Sequence, residues 1–238
     1  EHTKGILTTH VYGNSADLSE QEKLAAYYSI PIIYDGAHAF GVKHRGRSIF
    51  NYGTVSTCSF HATKIFHTIE GGAIITKDSK LADKIKGLRS FGHKGDNYFD
   101  SGINGKNSEF HAAMGLINLK HFPQIKAHRK VSSELYETHL TSKVERLAWN
   151  PDNSRNFSYF PVIFPSENIL QKVIVELNKS NIFPRRYFYP ALNELPYLTY
   201  QACPIAEDIA KRILCLPLSA EISQEDINQI CSIINSII

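Results

Sequence analysis

The chain has 238 residues, 42% hydrophobic and 21% charged, a balance that buries a real core and excludes a disordered or low-complexity polypeptide. Its net charge of +3 comes without a dense Lys/Arg block, so nothing in the charge compels a nucleic-acid reading. No run reaches the roughly 18 apolar residues that a membrane span needs, and neither nucleic acid nor membrane is expected as a partner. The four cysteines, Cys58, Cys203, Cys215 and Cys231, lack close pairing and metal-type spacing. Reduced thiols and a cytoplasmic location are the simplest account. The opening Glu1-His2-Thr3 has no Met and no secretory leader, and reads as the interior of a longer protein.

In chain order, short apolar runs alternate with helical patterns, the signature of an α/β domain with a mainly parallel sheet. Residues 5–12 read as a strand ending in the turn Gly13-Asn14, and Asp17 caps a helix carrying Leu18, Leu24, Ala25 and Tyr28. Strands are predicted at 30–34, 55–60 and 73–76. Leu81, Ile85 and Leu88 mark a helix closed by Gly92, and another begins at Ser108 with Glu109 in its first turn. Pro123 is expected to restart it as a second long helix. The polar break at 150–154 looks like a junction. The expected division is 1–122 for a large-domain part, 123–150 for a connecting helix and 151–238 for a small C-terminal α/β domain. That last part reads strand 158–164, helix 166–180, strand 185–189, and helices near 204–213 and 223–237.

In α/β sheets, ligands gather at the carboxyl ends of strands. Two strand ends carry chemistry here: Tyr34-Asp35-Gly36-Ala37-His38, and Ser59-Phe60-His61-Ala62-Thr63-Lys64 with Glu70-Gly71-Gly72 beyond. Taken singly, Asp35 reads as a turn former, Lys64 as a solvated charge, and His38 and His61 as core-edge histidines. His38, His61, His67, His93 and His111 show no metal-ligand spacing. Neither a dinucleotide fingerprint nor a P-loop is present.

Taken together, the runs HVYGNSADL, IPIIYDGAHAFG, STCSFHATKIFHTIEGGAIIT and GINGKNSEFHAAMGL, continued by IFPRRYFYPALNELPY and ILCLPLSAEIS, closely resemble the DegT/StrS family of pyridoxal-phosphate (PLP) sugar aminotransferases. Within it the chain is most similar to the viosamine-forming type. The resemblance implies the aspartate-aminotransferase-like fold (fold type I) and an amino transfer from glutamate to a nucleotide-linked keto-6-deoxyhexose, at C4. A 3-keto sugar aminotransferase, a sugar dehydratase and a non-catalytic or truncated binding relative are the alternatives. The dehydratases of the fold replace the lysine with histidine, which Lys64 argues against.

The resemblance also implies roles. Lys64 matches the lysine that forms a Schiff base with PLP, Asp35 the carboxylate facing the pyridine nitrogen, Ala37 and His38 the positions beside the ring, and Ser59 a phosphate-binding hydroxyl. Asn104 and Lys106 match a segment reaching a neighbouring subunit's phosphate, which implies a homodimer. Arg186, Tyr187 and Tyr189 fall on the substrate-side loop, the arginine suited to a diphosphate and the tyrosines to the hexose. Three departures stand out: Gly36 where Ala is common, Ser15 where Pro is common, and Asn107 where the family has Met or Leu. The first two should be tolerated. Family members also carry a further N-terminal stretch before the position of His10.

Overall fold

The structure is a computed structural model and describes residues 2–238. The chain folds into two compact units: residues up to Gln124 with Trp149–Asn156, and Ile125–Ala148 with Phe157–Ile238.

In the first unit, β1 (Ile6–Thr9) leads through a turn of 3-10 helix into α1 (Leu18–Tyr28). The strand was expected to run to Tyr12. It stops earlier because Tyr12 and Gly13 adopt φ of 58° and 85°, which no strand accommodates. Asp17 caps α1, its Oδ1 accepting the Glu20 N–H at 3.0 Å. There follow β2 (Ile32–Asp35), the hairpin β3 (Lys43–His44) and β4 (Arg47–Ser48), β5 (Val55–Ser59), β6 (Gly72–Thr76), α2 (Ser79–Leu88), and the hairpin β7 (His93–Lys94) and β8 (Asn97–Tyr98).

The sheet order is β1-β2-β5-β6, with β1, β2 and β5 parallel and β6 antiparallel to β5. Leu18 and Ala25 of α1 pack on Ile32 and Tyr34 over Ala39, Val42 and Ile49. Each such fully buried large side chain contributes on the order of 2 kcal/mol. Pairing sets Thr9 against Asp35 and Asp35 against Thr57, so Asp35 and Ser59, two residues beyond Thr57, share the face opposite Tyr34 and Ser56.

Helix α3 (Glu109–His139) runs unbroken through Pro123, where a restart was expected. Proline removes one hydrogen bond and kinks a helix at a cost of about 3 kcal/mol, but packing on both sides outweighs that. Phe122 lies edge-on to Phe40 with centroids 5.0 Å apart, and Tyr136 is buried in the second unit's core. The polar break does not open the C-terminal unit. It returns to the first unit, where the Asn150 N–H donates to Asn14 Oδ1 at 2.9 Å and Asn153 Nδ2 to Ser15 Oγ at 2.9 Å.

The second unit contains β9 (Glu145–Arg146), β10 (Phe160–Ile163), α4 (Glu167–Lys179), α5 (Pro204–Arg212), β11 (Ile213–Leu216) and α6 (Gln224–Ile237). Its antiparallel sheet has the order β11-β10-β9. Leu170, Val173 and Leu177 of α4 meet Ile227, Ile230 and Ile234 of α6 over Phe160, Val162 and Leu214. Residues 185–189, read as a strand, make only one bridge, Arg185 to Cys215. The sheet position falls instead to Ile213–Leu216, whose four side chains are all buried. A short apolar run directly after a helix has no period of its own to announce a strand.

Candidate active site

Asp35 ends β2, and its Oδ1 accepts the N–H of Ala37 at 3.0 Å. This turn points the chain from the strand end into His38. Gly36 stands where the resemblance makes alanine common, and here a Cβ would lie 2.6 Å from the Phe50 ring and 2.9 Å from the Thr57 carbonyl oxygen. Glycine is what lets β2 end this close to β5.

His38 is buried, and its Nδ1 accepts the Tyr12 N–H at 3.0 Å. That bond places the ring proton on Nε2. Burial, aided by Lys64 and opposed by Asp35, lowers its pKa to about 4, so the ring is neutral at physiological pH. From below, the amide nitrogen of buried Asn156 donates to the backbone oxygens of His38 at 2.8 Å and Phe40 at 2.9 Å.

Lys64 sits on the loop after β5. The loop is closed by Phe60 N–H to the Gly71 carbonyl at 2.9 Å, Thr68 N–H to Phe60 at 2.8 Å and Lys64 N–H to His61 at 2.9 Å. Phe66 stacks on Phe40 at 4.2 Å and meets Phe60 edge-on at 5.0 Å, anchoring the loop from beneath. Desolvation lowers the Lys64 pKa, and the charge of Asp35 and the Cys58 sulfur oppose it. Burial drives the Cys58 thiol up to about 12, so it stays protonated.

Asp35, Ala37, His38, Ser59 and Lys64 therefore meet at the carboxyl ends of β2 and β5. Asp35 and Lys64 are both half-buried and within electrostatic reach, yet no ion pair joins them and none of the described residues neutralises either. Ser59 Oγ accepts the His61 N–H at 3.3 Å.

Asn104 and Lys106 are exposed on the segment after β8. Asn104 bridges to Ser90, and the Lys106 ammonium lies 5.0 Å over the Phe91 ring. Arg186, Tyr187 and Tyr189 belong to the second unit. Arg186, expected to face a diphosphate, is engaged within its own unit. It donates to Glu167 Oε1 at 2.9 Å and to the Lys211 carbonyl at 3.0 Å, and its guanidinium stacks 3.4 Å above the Tyr189 ring. Asn156, the Tyr12 amide and the phenylalanine cluster were missed. Asn156 is 118 residues from His38, and no local pattern links them.

Among the described residues no helix is long and apolar enough to cross a membrane, and no cluster of His, Cys, Asp or Glu could hold a metal ion.

The fold is that of fold type I aminotransferases. DesI, solved in the presence of its TDP-sugar product, superposes with a TM-score of 0.91 at 30% identity, over 98% of this chain and 62% of that one. The family model for the DegT/DnrJ/EryC1/StrS aminotransferases matches residues 1–235, and the chain belongs to that family. It is 37% identical to a dTDP-4-amino-4,6-dideoxy-D-glucose transaminase of Shigella dysenteriae and 33% identical to one of Escherichia coli. Those matches cover 99% and 98% of this chain, which spans 66% of each relative's length.

Proposed function

We propose that the protein is a PLP-dependent aminotransferase that moves an amino group from glutamate to a nucleotide-linked keto-6-deoxyhexose, at C4. The observation that carries this reading is the unpaired Asp35 and Lys64 at neighbouring strand ends. A cation and an anion, both half-buried and joined by no ion pair, suit a ligand offering a carbonyl carbon to the amine and a basic nitrogen to the carboxylate. The donor set fits PLP: the amine of Lys64 for its aldehyde, Asp35 for its pyridine nitrogen, and the hydroxyl of Ser59 for its phosphate. When bound, this cofactor supplies an electrophilic carbon and a ring that takes up electrons.

The chain's own residues supply the rest. Desolvation raises the share of neutral Lys64 amine, the form that attacks a carbonyl. The same Nζ would serve as general base and acid, moving a proton from one carbon to another when the cofactor is bound. Asp35, its orientation fixed by the Ala37 N–H, would hold the proton of the cofactor's pyridine nitrogen. His38, neutral and protonated on Nε2, donates beside the ring. Asn104 and Lys106 serve a neighbouring subunit's phosphate in a homodimer, and Tyr187 and Tyr189 serve the sugar. The 37% and 33% identities to 4-amino-sugar transaminases support C4.

Titrating purified protein with PLP should produce a saturable visible absorbance band that Lys64→Ala lacks. Glutamate should then drive amination of a nucleotide-linked 4-keto sugar in preference to a 3-keto one. A band that persists unchanged in Lys64→Ala would sink the assignment.

A further inference from the structure

His61, read from the sequence as a core-edge histidine, is instead 47% exposed at its side chain. It is bonded to the residues on both sides of it in the segment that carries Lys64. Its N–H donates to Ser59 Oγ at 3.3 Å. Its carbonyl accepts the Lys64 N–H at 2.9 Å, closing a turn over residues 61–64. Its ring Nδ1 accepts the Thr63 N–H at 3.2 Å and lies 2.9 Å from the Thr63 hydroxyl. An amide N–H only donates, so Nδ1 is the unprotonated ring nitrogen and Nε2 carries the proton. A side chain that accepts the N–H two residues on, above a carbonyl that accepts the N–H three residues on, is the device by which Asn and Asp lock a turn. Here a histidine does the same.

These bonds bear on the site. Lys64 is the last residue of the turn, so the backbone of Ala62 and Thr63 decides where its side chain starts. With the His61 N–H on its oxygen, the Ser59 hydroxyl keeps its own proton for an anion. What shifts Lys64 electrostatically is burial, Asp35 and Cys58, so His61 acts on it through geometry and not through charge. The other ring nitrogen, Nε2, lies 3.5 Å from Glu70 Oε1, and that carboxylate is 67% exposed. Solvent screens such a contact, and it contributes little. The far end of the loop is held without it, by Thr68 Oγ1 donating to the Glu70 carbonyl at 2.5 Å and Phe60 N–H to the Gly71 carbonyl at 2.9 Å.

We infer that His61 is a positioning residue for Lys64, its ring Nδ1 fixing the turn from which the amine meets the cofactor, and that its contact with Glu70 is dispensable. The inference rests on the proposed reading of Lys64 as the PLP-binding amine. It gives a task to a residue that neither binds the cofactor nor alters the charge of the lysine.

Asn and Gln separate the two ring nitrogens, because Asn Oδ1 takes the place of Nδ1 and Gln Nε2 that of the ring Nε2. The test measures the PLP dissociation constant from the visible absorbance band for wild type, His61→Leu, His61→Asn, His61→Gln and Glu70→Gln. Urea midpoints are measured on the same proteins. So is the rate at which formaldehyde and cyanoborohydride methylate Lys64 without PLP, read by peptide mass. His61→Leu and His61→Gln should each weaken PLP roughly 10-fold, the scale of one lost hydrogen bond. His61→Asn and Glu70→Gln should stay within about 3-fold of wild type. Urea midpoints and methylation rates should be unchanged throughout, because the turn is exposed and the basicity of the amine is set elsewhere. If His61→Leu binds PLP as wild type does, the inference falls and the aminotransferase reading stands. If His61→Asn is as weak as His61→Leu, or if His61→Leu lowers the urea midpoint and the methylation rate together, the positioning role of Nδ1 is wrong. Wild-type protein that forms no PLP band would overturn the reading of Lys64 itself, and the inference with it.

Discussion

The backbone N–H of Tyr12 donates to Nδ1 of His38 across 3.0 Å, joining the turn after β1 to the turn after β2. The bond selects the ring tautomer and satisfies a buried amide that the left-handed turn at Tyr12 and Gly13 would otherwise strand. Replacing His38 with Leu removes the acceptor and should cost about 1–3 kcal/mol in urea unfolding. Gln can present a side-chain carbonyl to the same N–H, so His38→Gln should keep most of that stability. Equal losses in the two variants would mean that the bond contributes nothing.

Asn156 answers one buried and one partly buried carbonyl with a single amide group. A carboxylate at that place accepts only, and two carbonyl oxygens would repel it. Asn156→Asp should therefore lose about 2–4 kcal/mol at pH 7 relative to wild type. Part of the difference should return toward pH 5, as the new carboxyl takes up a proton and becomes a donor. Urea midpoints of the two proteins compared at each pH measure this directly.

Much of this arrangement was legible in the sequence, and the unread parts share a cause. Apolar runs and their polar terminators mark the strand ends near which Asp35, His38, Ser59 and Lys64 lie, and the family resemblance is what singles those residues out. The Asp17 cap is legible for the same local reason, and its side chain accepts the Glu20 N–H. What escaped depends on distant partners. Asn156 works only because the chain returns to the first unit after α3. Arg186 meets Glu167 19 residues away, a partner that no local pattern announces. Residues 185–189 have strand-like composition, but Ile213–Leu216 holds the sheet position beside β10. Pro123 marked a helix end by propensity, and packing on either side overrode it.

Acid should weaken the fold through two histidines. His10 and His38 are buried with pKa near 4, below the ordinary 6.5, chiefly by desolvation. His10 faces Asp35 and His44, and His38 faces Lys64 and Asp35. Between pH 6.5 and 4 the unfolded chain binds protons that the folded chain refuses. Stability is therefore complete above about 6.5 and falls as pH drops through that window, by up to roughly 3 kcal/mol per histidine. Both His10 ring nitrogens lack a hydrogen-bond partner, and the ring stacks on Tyr34 with centroids 4.7 Å apart. His10→Phe should keep the stacking and flatten the acid slope. A wild-type urea midpoint that is constant from pH 7 to 4.5 would contradict this.

The role of Lys64 can be read by mass. Protein incubated with PLP, reduced with borohydride and digested should carry one pyridoxyl addition on the peptide containing Lys64, and Asp35→Asn should lower the PLP concentration needed at neutral pH only if loss of the carboxylate's pull on the amine outweighs loss of its grip on the ring nitrogen. We expect the grip to dominate, so Asp35→Asn should need more PLP while labelling the same lysine. Stoichiometric label on Lys64, absent from Lys64→Ala, is the expected result. Label spread over exposed lysines such as Lys106, or undiminished in Lys64→Ala, would contradict the assignment of Lys64 as the cofactor-binding amine.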